Sequence, residues 1–97
     1  MSEEELDRYE AQLEIELFKE YRQASEVFAY TVETDRRFYL ANDVKVTVES
    51  DGAQPYFRID ITDAWVWDMY RTRARRFVTK VQVLTFKDVN IEELTKD

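Results

Sequence analysis

The sequence predicts an α+β domain in which an N-terminal helix packs on a curved four-stranded antiparallel meander. Three observations carry this. Apolar residues recur at helical spacing from Ser2 to about Ser25, the spacing then changes to a period of two, and the chain is 97 residues long. A chain of that length buries roughly two thirds of the surface its unfolded form exposes, enough for a core without staples. Hydrophobic residues make up 44% and charged residues 36%, the balance of a folded chain and not of a disordered one. Residues 1–97 are therefore read as a single domain, with no repeat, linker or low-complexity stretch.

The helix comes first. Ser2 is placed to cap it, with Glu3, Glu4 and Glu5 at the positive end of the dipole, and Ser2 with Glu5 fits a capping box. Leu6, Tyr9, Leu13, Leu17, Tyr21 and Ala24 form one apolar stripe. Ala11, Ile15 and Phe18 form a second, narrower strip, nearly opposite the first at about 100° per residue. A helix with one buried face has no need of that strip. Flanking strands or the C-terminal tail cover it, or it is an interface with a second copy or a partner.

Four strands follow. Phe28, Tyr30 and Val32 begin the first, and Thr34-Asp35 turns the chain. A long second strand runs from about Arg36 to Glu49, with Phe38, Leu40, Val44, Val46 and Val48 on one parity. Ser50-Asp51-Gly52-Ala53 is the strongest hairpin turn. The third strand starts at Tyr56, with Phe57, Ile59, Ile61, Trp65, Trp67 and Met69 on one parity. Asn42 and Asp63 interrupt the apolar parity of these two strands, which predicts a sheet bent sharply, with the helix in its concave face. Phe77 to Phe86 is the fourth strand, apolar on both parities and so expected to be covered on both faces. Asp88 to Leu94 reads as a turn and a short helix. By topology the arrangement resembles cystatin-like folds, an analogy that carries no function.

The composition excludes much chemistry. There is no Cys and no His, and only one Gly. That removes disulfides, thiolate metal sites, thiol nucleophiles, His-based triads and glycine-rich phosphate loops. No apolar run approaches the ~20 residues of a membrane span. The acidic start of the chain has the wrong charge for a signal or transit peptide, so a cytoplasmic protein is expected. Asp60, Asp63 and Asp68 are the one set of acids with some catalytic or Mg²⁺-binding potential, but their spacing matches no motif. Asp63 reads better as a bend residue. Trp65, Trp67 and Met69 read as core, with Asp63 or Asn42 accepting from the indole N–H groups. Arg37 has Glu33 as a cross-hairpin partner. Tyr30, Tyr39, Trp65 and Trp67 are the residues available to line a pocket between helix and sheet. No catalytic, cofactor-binding or metal-ligating residue is assigned.

Charge is polarised. Residues 1–26 hold nine acids and three bases, whereas residues 71–80 hold Arg71, Arg73, Arg75, Arg76 and Lys80 with no acid. Tyr70 and Phe77 flank that tip, a pattern able to hold phosphates and stack a base. The net charge of −7 repels nucleic acid at long range, so an acidic protein surface is an equal candidate partner.

Several phrases are distinctive: Arg36-Arg37-Phe38-Tyr39-Leu40-Ala41-Asn42, Asp63-Ala64-Trp65-Val66-Trp67-Asp68-Met69-Tyr70-Arg71 and Thr85-Phe86-Lys87-Asp88-Val89-Asn90-Ile91-Glu92-Glu93. With Tyr9-Glu10 and Leu17-Phe18-Lys19-Glu20-Tyr21, they resemble a family of small actinobacterial proteins of unknown function. The resemblance covers nearly the whole chain. It implies a small cytoplasmic protein, often encoded beside ribonuclease HII, with no established activity. The family pattern has Pro after the arginine matching Arg71, where this chain has Thr72 and a longer Arg-rich connection.

The function expected is that of a non-enzymatic protein–protein interaction module or adaptor, homodimeric, with Ile15, Phe18, Arg71, Arg73, Arg75 and Arg76 as contact residues. The alternative is a nucleic-acid-associated factor that uses the Arg-rich 71–76 tip.

Overall fold

The computed structural model describes residues 2–52 and 54–95. Helix α1 spans Glu3–Ala24 and is followed by strands β1 (Tyr30–Glu33), β2 (Phe38–Asp51) and β3 (Gln54–Val66). A short 3-10 turn over Arg73–Arg76 leads into β4 (Phe77–Thr85), and β5 (Asn90–Glu93) ends the sheet. The capping box forms as the sequence implies. Ser2 Oγ accepts from the Glu5 amide at 3.2 Å, and the Glu5 carboxylate accepts from the Ser2 amide at 3.4 Å. The Gly52 turn takes a left-handed backbone, φ 66°, as its residue type permits. The neighbouring Ala53, part of the expected turn, lies outside the described residues.

The sheet is antiparallel throughout, in the order β4-β3-β2-β1-β5. It thus holds one strand more than the meander. Asn90–Glu93, expected to lie in a turn and short helix, instead pairs with β1 from Tyr30↔Glu93 to Glu33↔Asn90. The order has a geometric consequence. β4 and β5 lie on opposite edges, yet only residues 86–89 join them. By register, Thr85 pairs with Phe57 and Phe57 with Val48, whereas Asn90 pairs with Glu33 and Glu33 with Phe38. A flat sheet would put the two ends about 19 Å apart across the strands and about 33 Å apart along them. The link from Thr85 to Asn90 reaches at most about 18 Å. The far half of β2, β3 and β4 therefore folds back over the near half.

The crease lies where the two polar residues interrupt the apolar parity. The ladder lacks the Asn42–Asp63 and Asp63–Thr79 pairs, and Asp63 has φ 52°, the single described non-glycine residue in the left-handed region. The pleat changes phase there. Tyr39, Ala41, Ala64 and Val66 of the near half pack in one buried cluster with Val44, Ile59, Ile61, Val81 and Val83 of the far half. These residues have opposite parities on the two sides of the crease, and the bent sheet encloses them without a second layer.

The helix lies on the other face. Leu17, Ala24 and Tyr21 pack on Phe38, Leu40, Trp65, Trp67 and Met69. Leu40 and Trp65 alternate with Tyr39, Ala41, Ala64 and Val66, so α1 covers the convex side of the near half and not the concave face. The single apolar parity expected of β2 and of β3 is thus shared between two cores. β4 is covered on one face only: Val81 and Val83 pack against the core, while Leu84, and Phe86 just beyond the strand, are exposed. The radius of gyration is 15.8 Å, against about 12.5 Å for a compact chain of this length. The first half of α1, which is almost wholly exposed, agrees with an extended shape.

Candidate functional site

α1 is fastened to the sheet by a buried polar triad. The Trp65 indole Nε1–H donates to Glu20 Oε1 at 2.7 Å, and Arg76 Nη1 donates to Glu20 Oε2 at 2.8 Å. Arg76 Nε also donates to the Asp68 carbonyl at 3.1 Å. The indole partner is therefore Glu20 and not Asp63 or Asn42, because Trp65 points to the helix. Arg76 is 8% exposed and holds the 71–76 tip against α1, which withdraws it from the surface.

Asp68 organises the rest of the tip. Its carboxylate accepts from Arg37 at 3.3 Å and from the Tyr70 amide at 3.0 Å, and it forms an ion pair with Arg71 at 3.4 Å. Arg37 thus pairs with Asp68 and not with Glu33. Arg71 Nη1 also donates to the Arg75 carbonyl at 3.3 Å. Arg73 and Arg75 remain exposed, with no ion pair among the described residues, beside Tyr70, which is 73% exposed. Of the four tip arginines, two thus face solvent freely, one is tied to Asp68 and one is buried.

Ile15 and Phe18 are 52% and 51% exposed. No strand covers them, and no described part of the C-terminal tail does. With Ala11 and Trp67 they supply the apolar lining of a groove of about 460 Å³, whose charged residues are Glu14, Lys19 and Arg22. The groove has an ordered backing. Phe18 lies 6.2 Å from Tyr21, centroid to centroid, and Tyr21 meets Trp67 edge-on at 5.3 Å. Tyr21 also lies 5.9 Å from the buried Trp65. Trp67 packs against the helix–sheet core, as its parity implies, but it is only partly buried, so the rest of its ring lines the groove.

The other sequence candidates are not brought together. Asp60 pairs with Arg58 at 3.4 Å and accepts from Gln82 at 3.2 Å. Asp63 lies at the crease, where it and Asn42 line a cleft of about 200 Å³ with Phe28 and Phe77. Among the described residues, no group of three or more acids is placed to hold a metal. Tyr39 lines a different cleft of about 530 Å³, between residues 34–37 and 82–87, on the side of the sheet away from Trp67. Tyr30, Tyr39, Trp65 and Trp67 therefore do not share one pocket.

A family described as "Protein of unknown function (DUF2469)" matches residues 1–97. The chain belongs to that family. It is 51% identical over 96 residues to an uncharacterized protein of Mycobacterium bovis and to uncharacterized proteins from two strains of Mycobacterium tuberculosis. Each alignment covers 99% of this chain and 93% of the relative. These relatives agree with the resemblance to actinobacterial proteins of unknown function. No solved structure matches the chain. No described helix is long and apolar enough to cross a membrane.

Proposed function

We propose that this chain is a non-enzymatic interaction module of the cytoplasm that binds protein through α1 and pairs with a second copy of itself. The observation that carries this reading is the Ile15–Phe18–Trp67 groove. Three large apolar side chains stand partly in water on an ordered aromatic base, and no described part of the chain covers them. A surface that meets its own copy must be self-complementary. The groove fits that condition, because its rim holds both signs, Glu14 against Lys19 and Arg22. The test is affinity purification of tagged wild-type chain and of the Ile15→Asp/Phe18→Asp variant from the native host, with and without nuclease. Untagged copy or another protein should co-purify with the wild type, survive nuclease and be absent from the variant. Equal recovery with both chains would refute the reading.

A second reading has its own observation. Arg73, Arg75 and Tyr70 are all exposed on the same short connection, which supports nucleic-acid contact through the tip. It requires binding of single-stranded RNA or DNA that weakens steeply with salt and is lost in Arg73→Ser/Arg75→Ser. Flat titrations at low salt would remove it.

A further inference from the structure

α1 has a second bare surface, of a different kind from the groove. The helix has 22 residues but only Leu17 and Ala24 are fully buried. Of residues 3–16, only Glu10 and Leu13 are even partly buried. At about 1.5 Å per residue, this stretch forms an arm roughly 20 Å long. Leu6, 45% exposed, and Tyr9, 56% exposed, lie with Leu13 on the face that Leu17 and Ala24 press against the sheet. One face is thus core along half of the helix and bare along the other half. An isolated helix of this length is marginal in water. This one is held by its capping box at one end and by Leu17 at the other.

The charge on the arm states what can cover it. Residues 3–16 hold seven acids and one base. At about 100° per residue, Glu3 and Glu10 border the apolar stripe on one side, and Glu5 and Glu16 on the other. A second copy laid along this stripe would set acid against acid on both borders in either orientation, the reverse of the mixed rim of the groove. We infer that the arm is the docking site for a basic amphipathic helix of a partner protein. The partner's apolar residues would cover Leu6, Tyr9 and Leu13, and its Lys or Arg residues would flank Glu5, Glu10 and Glu16. The inference rests on α1 being an interaction helix, and it assigns a second face and a second partner to it. The chain then joins its own copy, through the groove, to another protein, through the arm.

The test uses two labelled peptides of equal Leu and Lys composition, one patterned as an amphipathic helix and one scrambled, titrated by fluorescence anisotropy against the full chain. The patterned peptide should bind at least about tenfold more tightly than the scrambled one. Leu6→Ala/Tyr9→Ala, which keeps helix propensity, should lose at least about tenfold. Glu10→Lys/Glu16→Lys should lose more at low salt than at high salt. Ile15→Asp/Phe18→Asp, which leaves the arm's apolar stripe intact and adds acids to the helix, should bind at least as tightly as the wild type does. Equal affinity for both peptides, or full affinity in Leu6→Ala/Tyr9→Ala, would overturn the inference. A loss confined to Ile15→Asp/Phe18→Asp would also overturn it, while leaving the groove reading intact. So would a wild-type dimer that Leu6→Ala/Tyr9→Ala dissolves, since a second copy would then occupy the arm.

Discussion

Replacing Glu20 by Ala removes the acceptor for two buried donors at once. The Glu20 and Arg76 side chains are 10% and 9% exposed, and Trp65 is fully buried. Water cannot readily replace the lost carboxylate. Removing one partner of a buried pair costs about 3–5 kcal/mol, chiefly because the other charge is left uncompensated. A stranded indole N–H adds about 1–3 kcal/mol. Arg76 keeps its bond to the Asp68 carbonyl, which offsets part of this. The sum for Glu20→Ala comes to about 4 kcal/mol, a large share of the roughly 5–15 kcal/mol typical of a folded chain. Glu20→Gln retains an oxygen acceptor for the indole without the charge, and its cost is about half as large. Urea denaturation followed by tryptophan emission reads both, with m unchanged. A loss below about 1 kcal/mol in Glu20→Ala would show that the triad does not fasten the helix and tip to the sheet.

Two further outcomes follow from the backbone and the arm. Asp63→Gly should raise stability by about 1 kcal/mol, because glycine occupies φ 52° without the Cβ penalty, and thermal unfolding reads the gain. Ser2→Ala removes a cap worth about 1 kcal/mol to the helix. Because the arm makes few contacts with the sheet, the loss should show as weaker helical circular dichroism, with the urea midpoint almost unchanged.

Local features were legible in the sequence. The helix limits, the capping box and the Gly52 turn each depend on residues within a few positions of one another. The bend was legible too, since Asn42 and Asp63 break two apolar parities at the same level. Its direction was not. Parity separates two faces but does not say which one a bent sheet encloses, so α1 was expected in the concave face. β5 was missed for a related reason. Asn90–Glu93 is polar and short, and only pairing with β1, about sixty residues earlier, makes it a strand. The Trp65–Glu20–Arg76 triad is equally non-local, its bonded partners lying 45 and 56 positions apart in the chain. Proximity in the chain therefore groups Arg76 with Arg73 and Arg75, although the fold buries it. The second apolar strip on α1 was visible from its spacing, whereas the part played by Trp67 required the helix to be placed on the sheet.

The most direct test of α1 as a contact surface is solution mass by light scattering over a range of concentrations. Circular dichroism on the same samples would show that each chain is folded. The wild type should approach twice its 11.7 kDa chain mass, and Ile15→Asp/Phe18→Asp should stay at that mass with the same helical signal. A wild type that remains monomeric at every concentration, or a dimer that survives both substitutions, would contradict pairing through the groove.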